Sequence, residues 1–211
     1  MGITATDIAK AVGGDRGWIR VRDEKLGAPP YDDGQPFALT PWGDSAMQLG
    51  HILEPSARAA YERHCGIPVY PACVESVLNP HRRASLDGLS ACGLHAIEAK
   101  CGAQMLRQWQ DKRCIAPAIR RQIQFQLEVL GLDSMTLVLL HRLPSEPLEL
   151  ADVRKSLTYC NIREPDWQGG PYFVTIQRDI AVTKHLAAQA DRLWEEVRRI
   201  RSPAVLSLFD F

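Results

Sequence analysis

Two carboxylates and a lysine carry the most chemistry in this chain. They are Asp87, in the run Ser85-Leu86-Asp87-Gly88, and Glu98 and Lys100, in Ile97-Glu98-Ala99-Lys100. Alternate side chains of a strand share a face, so Glu98 and Lys100 point one way and Ile97 and Ala99 the other. The apolar pair suits a core surface. A carboxylate and an ammonium are left together near a turn expected between Gly88 and Gly93. A hairpin there returns Asp87 to the side of Glu98. Two carboxylates so close repel unless a cation lies between them, and hard oxygen ligands completed by water suit Mg²⁺ or Mn²⁺. The lysine would orient or deprotonate an attacking water, or stabilise charge on a phosphate, while the metal acts as Lewis acid. The competing expectation is a surface hairpin with a Glu–Lys pair worth under ~1 kcal/mol. Spacing alone favours the hairpin, because such triplets are common.

Other residues bear on the choice. Glu54, in Gly50-His51-Ile52-Leu53-Glu54-Pro55, is followed four residues later by Arg58, a favourable helical pair. It reads either as a solvated helix charge or as a third carboxylate facing the metal. On a helix over 115–131, Ile119, Ile123, Leu127 and Leu130 form an apolar stripe, with Gln122 and Gln126 on or beside it. Buried amides need partners. A structural amide accounts for Gln126 as well as a functional one does, and for Gln122 less well.

The elements that must position these residues follow from the pattern of the chain. Its 211 residues are 45% hydrophobic and 24% charged, the composition of an ordinary globular protein. About 70% of the unfolded surface is expected to be buried, enough for one core and one domain. The 25 basic residues balance 25 acidic ones, which excludes a chain that coats nucleic acid by overall basicity. No run of 18 apolar residues exists, so no membrane helix is expected. The N-terminus lacks a signal-peptide pattern. The six cysteines include no C-x-x-C pair and read as reduced thiols. Helices are expected at 4–12, capped by Thr4 or Thr6, at 44–65 with Pro55 kinking or restarting it, at 103–112, at 115–131 and at 179–201. Strands are expected near 69–77, 81–87, 94–100, 134–143 and 171–177, the fourth buried on both faces. The Gly- and Pro-rich stretch from Asp15 to Trp42 reads as a long irregular segment. The order implies a mixed α/β (α+β) fold, a central mixed sheet flanked by helices.

With these residues in view, the chain resembles a known family. The segments ITATD, G-x-x-L-E-P-x-x-R, S-L-D-G-L, I-E-A-K-C and Q-I-Q-F-Q-L look, in that order, like the phage lambda exonuclease family. So does Ile176-Gln177-Arg178-Asp179 before a last helix ending in Leu193-Trp194. These are viral-recombinase-type alkaline exonucleases of the PD-(D/E)xK nuclease superfamily, with a restriction-endonuclease-like core. The resemblance implies a Mg²⁺-dependent enzyme that digests one strand of duplex DNA from the 5′ end and leaves a 3′ overhang. Two metal ions are implied, and Mn²⁺ is expected to substitute. Asp87, Glu98 and the Ala99 backbone carbonyl match the family's metal ligands, with Glu54 the helix carboxylate near the metals. Lys100 matches the lysine that activates water, and Gln122 the glutamine that helps hold the site. Thr6 and Ser85 match small hydroxyl residues near the substrate phosphate. Arg16 matches an arginine on a loop that reaches into the DNA, and Met47 an apolar wedge that helps separate the strands.

The chain departs from the pattern in places. The usual proline before the first metal-binding aspartate is Leu86. The arginine that another member carries just upstream of the ITA segment, gripping the 5′-phosphate, has no counterpart before Ile3. Either the protein extends further upstream or another residue makes that contact, with Arg58, Arg63, Arg82 and Arg83 as the candidates. The family implies a homotrimer ring threaded by DNA, a single-strand annealing recombinase as partner, and action in the cytoplasm of a bacterial host by a phage or prophage product. Segment 107–121 holds five basic residues against Asp111 and could face phosphate, and the apolar run at 205–211 could dock on a neighbouring subunit. The expected layout is one nuclease domain: a core at about 44–201, an N-terminal helix and DNA-contacting loop at 1–43, and an apolar tail at 202–211. Rival readings are a structure-specific or Cas4-like endonuclease or repair nuclease of the same superfamily, and a non-catalytic DNA-end-binding protein.

Overall fold

The computed structural model describes residues 2–27, 41–101, 103–140 and 171–201. In chain order these form β1 (Ile3–Thr4), α1 (Ala5–Ala11), α2 (Asp15–Leu26), α3 (Pro41–Cys65), β2 (Val69–Glu75), β3 (Arg82–Ser90) and β4 (Ala96–Cys101). They continue with α4 (Ala103–Lys112), α5 (Pro117–Leu130), β5 (Ser134–Leu140), β6 (Tyr172–Gln177) and α6 (Ile180–Arg201). The fold is mixed α/β around a mixed sheet, as expected; among the described residues the sheet has six strands, β1 being one that was not expected.

β3 organises the sheet. β2 pairs antiparallel along one of its edges, from Val69↔Ser90 to Glu75↔Arg83. The other edge is shared: β1 pairs parallel at Arg82 and Arg83, and β4 pairs antiparallel at Gly88 and Leu89. Beyond β4 lie β5, parallel to it, and β6, antiparallel to β5. Helices cover both faces. On one, Ala57 and Tyr61 of α3 pack on Ile97, Ala99, Val138 and Leu140. On the other, residues of α1, α5 and α6 form the larger core, including Ile8, Phe125 and Leu193.

Local chemistry accounts for the boundaries. Thr4 caps α1 through a capping box: its Oγ1 accepts from the Asp7 N–H at 3.2 Å, and Asp7 Oδ2 accepts from the Thr4 N–H at 2.8 Å. α5 opens with Pro117 at its first turn and ends at Gly131, whose φ of +70° is the left-handed cap that glycine adopts without strain.

Three expectations need correction. The stretch from Asp15 does not begin as irregular chain: Asp15–Leu26 is a helix, closed by Gly27 in the left-handed conformation. Gly17 suggests a loop in sequence but serves packing, because a Cβ there would lie 2.2 Å from the Lys10 carbonyl of α1. α3 begins at Pro41, earlier than expected, and Pro55 lies inside it and does not start a new helix. Gly88 is not a turn residue: β3 continues to Ser90, and the turn is built around Gly93 at φ +73°. The strand expected at 134–143 is observed as Ser134–Leu140, with Leu137 to Leu140 at most 1% exposed; residues 141–143 lie outside the described residues. No described helix is long and apolar enough to cross a membrane.

Candidate active site

The site fills a fork in the sheet. On the shared edge of β3, residues 84–87 lie between the end of β1 and the point where β4 leaves, because β3 and β4 pair only at Gly88↔Ile97 and Leu89↔Ala96. The Ala99 N–H thus has no β3 carbonyl to meet, and Asp87 Oδ2 accepts from it instead at 2.7 Å. Along the other edge, Tyr70 pairs with Leu89 and Ala72 with Leu86, so Asp87 and Gly88 together oppose Pro71. That is a bulge, a device that re-aims side chains beside functional sites.

Glu98 follows the strand alternation. Ile97 and Ala99 pack towards α3, and Glu98, 2% exposed, faces α5. Its Oε1 accepts from Gln122 Nε2 at 2.8 Å and from Lys100 Nζ, and its Oε2 accepts from Gln126 Nε2 at 2.6 Å. Gln126 Nε2 also donates to the Ser85 carbonyl at 3.0 Å. From α3, Arg58 donates to the Asp87 carbonyl at 3.0 Å.

Burial dominates the electrostatics. Desolvation raises the Asp87 carboxyl above its ordinary range, with the charge of Glu54 adding to the rise and the Ala99 N–H, Lys100 and Arg58 opposing it. Desolvation also raises Glu98, with Asp87 adding to it and Lys100 and Gln126 opposing. For Lys100 desolvation pulls downward, but the charge and hydrogen bond of Glu98 outweigh it and the ammonium is favoured. The neighbouring Cys101 thiol is pushed up to about 12 by burial and by the charges of Asp87 and Glu54, so it stays protonated.

The donor set fits a hard divalent cation. An ionised carboxylate offers about four lone-pair sites. Asp87 uses one on Ala99 and Glu98 uses three, so both keep capacity. Among the described residues no three His, Cys, Asp or Glu side chains converge as a metal cage. Mg²⁺ does not require one, since it is held by one or two carboxylates and retains waters.

Of the residues singled out from sequence, Asp87, Glu98, Ala99, Lys100 and Gln122 come together, with Arg58 against Asp87. Glu54 does not pair with Arg58: its Oε1 meets His51 Nδ1 at 2.9 Å, and it reaches Asp87 through its charge. Ser85 is exposed on β3, and its carbonyl is held by Gln126. Thr6 is exposed in the first turn of α1, two residues after the capping residue. Arg16 is exposed on α2, a helix and not the loop expected for it. Met47 falls on α3, but its side chain lies outside the described residues. Leu86, in place of the family's proline, is 2% exposed in the larger core.

The four alternative arginines now separate. Arg82 is locked to Asp191 and Glu128, Arg83 pairs with Glu75 at 2.6 Å, and Arg63 is exposed in the last turn of α3. Arg58 is the one whose guanidinium touches the site. In the basic segment, Arg121 is committed to the Ala9 carbonyl and Arg113 lies over Trp109 and Tyr172. Sequence reasoning left Gln126 open. Its one signal was its position one helical turn after Gln122, on the same face.

The model of the YqaJ-like viral recombinase domain family matches residues 1–133. Among solved structures the chain is similar to an alkaline exonuclease from Laribacter hongkongensis. The TM-score is 0.66 at 19% identity, covering 94% of this chain and 89% of that one. The same protein in complex with dAMP gives a TM-score of 0.64 at 19% identity and the same coverage. A phage-related exonuclease from Haemophilus somnus gives 0.59 at 14% identity, covering 96% of each chain. At these identities the likeness is one of fold. No relative was found among curated proteins.

Proposed function

This chain belongs to the YqaJ-like viral recombinase domain family, and from that premise we propose that it is a metal-dependent deoxyribonuclease. In this reading it digests one strand of duplex DNA from the 5′ end and leaves a 3′ overhang for recombination by strand annealing. The observation that carries the reading is a buried pair of carboxylates, Asp87 and Glu98, sharing one fork with Lys100. An arrangement that raises both carboxyls is costly unless a cation offsets it.

Asp87, Glu98 and the Ala99 carbonyl would hold Mg²⁺, two ions in the full site, with Mn²⁺ as substitute and Glu54 adding negative potential. The bound cation supplies Lewis-acid stabilisation of the charge that develops on the phosphodiester. Gln122 and Gln126 fix the plane of the Glu98 carboxylate. Lys100, an ammonium at neutral pH, orients the attacking water and balances charge on the phosphate. Arg58 spends one of its about five N–H donors on the Asp87 carbonyl, and the others suit a phosphate oxygen. The Laribacter exonuclease was solved with dAMP, a deoxynucleoside monophosphate of the kind that such digestion releases. A homotrimer ring on DNA ends, an annealing recombinase partner and a cytoplasmic place of action complete the proposal.

The test is digestion of blunt duplex, labelled at the 5′ or the 3′ end, with Mg²⁺ or EDTA and with a 5′-hydroxyl control. Early release of 5′ label, dependent on Mg²⁺, is expected. Lys100→Ala should lower the rate by about 10²–10⁴-fold while the protein stays folded. Metal-independent digestion, or a Lys100→Ala rate close to wild type, would sink the reading.

A further inference from the structure

We propose that Gln126 is a positioning residue that sets the spacing of the two carboxylates, acting through Glu98 and through the β3 backbone. The inference rests on the nuclease reading of this site and names the residue that holds its geometry. Past Gly88↔Ile97 and Leu89↔Ala96 the two strands share no ladder. Where each of two strands carries one of the two carboxylates, something beyond the Asp87–Ala99 bond must replace the ladder or the pair drifts.

Gln126 replaces it. Its side chain is fully buried, and its Nε2 spans the fork, donating to the Ser85 carbonyl on β3 at 3.0 Å and to Glu98 Oε2 on β4 at 2.6 Å. Ser85 stands two residues before Asp87, just ahead of the bulge. One amide thus ties the backbone carrying the first carboxylate to the side chain of the second. Gln122, one turn earlier on α5, takes the other Glu98 oxygen at 2.8 Å, so the two amides fix both the position and the rotation of that carboxylate.

Gln126 Oε1 is buried and has no hydrogen-bond partner among the described residues. Flipping the amide is no remedy, because Oε1 would then face two acceptors, the Ser85 carbonyl and Glu98 Oε2. An apolar side chain of the same length would remove that orphan but leave the Ser85 carbonyl and Glu98 Oε2 without this donor. Gln126 is retained for its two donors.

The experiment compares Gln126→Met, which keeps length and burial, with wild type, Glu98→Gln and the double variant. For each, the metal-free melting temperature, the Mg²⁺ concentration at half of the thermal shift, and kcat and KM on duplex DNA are measured. Gln126→Met should fold, with a metal-free melting temperature at or below that of wild type, because two acceptors lose their donor. Its Mg²⁺ midpoint should rise about 10–100-fold, the usual cost of removing a partner of a metal ligand. Its kcat should fall with KM for DNA unchanged, and in the Glu98→Gln background the substitution should change neither. A lower melting temperature with an unchanged Mg²⁺ midpoint and kcat would show a purely structural amide and overturn the proposal. A wild-type protein inert to both Mg²⁺ and DNA would sink the nuclease reading instead. The positioning claim would then be decided by the stability cycle alone, where additivity of the two substitutions overturns it.

Discussion

Glu98 is 2% exposed and receives three donors, yet its carboxyl is still raised, with desolvation as the leading cause. Asp87 is raised for the same leading reason. A carboxyl whose folded pKa lies above its unfolded value gives its full stability below the ordinary carboxylate range, and loses it as pH rises through the raised value. At neutral pH without metal, the pair therefore works against the fold. Asp87→Asn can keep the bond to Ala99 through its amide oxygen while removing the charge. It should raise the metal-free melting temperature near pH 7 by about 2–4 °C per kcal/mol relieved. The gain should shrink towards about pH 4, and digestion should be abolished. A variant less stable than wild type at both pH values would contradict this view. Bound Mg²⁺ should stabilise wild type and leave Asp87→Asn almost unmoved, by linkage.

At the scale of elements, the fork depends on how closely β2, β3 and β4 approach at Gly88. A Cβ there would stand 2.8 Å from both Ile97 Cγ1 and Val69 Cγ2. Gly88→Ala should therefore cost about 1–3 kcal/mol by overpacking, seen in denaturant melts, and should also lower activity by displacing Asp87. Unaltered stability would mean that the strands part without resistance. The same strand is anchored at its start by Arg82, which binds Asp191 of α6 and Glu128 of α5, with Glu128 also held by Arg178. Asp191 is partly desolvated, which alone would raise it, but bonds from Arg82 and His81 hold it below the ordinary range. Its contribution is present above the unfolded carboxylate pKa and is lost as pH falls through the depressed one. Both ends of β3 are thus fixed, one by charge and one by packing.

For the whole molecule, zero net charge places DNA contact on local surfaces, and the structure narrows which ones. Arg58 lies at the site, whereas Arg121, Arg82 and Arg83 are occupied within the fold. The N-terminal helices are part of the body: Trp18 Nε1 of α2 donates to Glu196 of α6 at 3.0 Å, and Arg22 pairs with the same carboxylate at 3.2 Å. The apolar tail at 202–211 lies outside the described residues. If it docks on a neighbouring subunit, deleting 204–211 should lower the mass found by light scattering, and an unchanged mass would remove the tail from any interface.

The proximity of Asp87, Glu98 and Lys100 was legible in the sequence because it follows from two local rules, whereas their chemistry was legible only through the family resemblance. Strand side chains alternate with period two, and a short hairpin returns a chain on itself. The same locality gave Thr4 as one of two candidate caps of α1 and the burial of Leu137 to Leu140 in β5. It misled at two glycines, whereas Gly131 ended α5 as expected. Gly17 and Gly88 read as loop and turn, but each permits a close approach by another segment, and no local pattern distinguishes the two uses. The sequence also could not decide that Glu54 turns to His51, that Arg58 reaches the Asp87 carbonyl, or that Gln126 bridges β3 and β4. Gln126 lies 28 residues from Glu98 and 41 from Ser85. Bonds over such distances exist only after α5 has packed on the forked sheet, so tertiary structure alone sets how the two carboxylates are held.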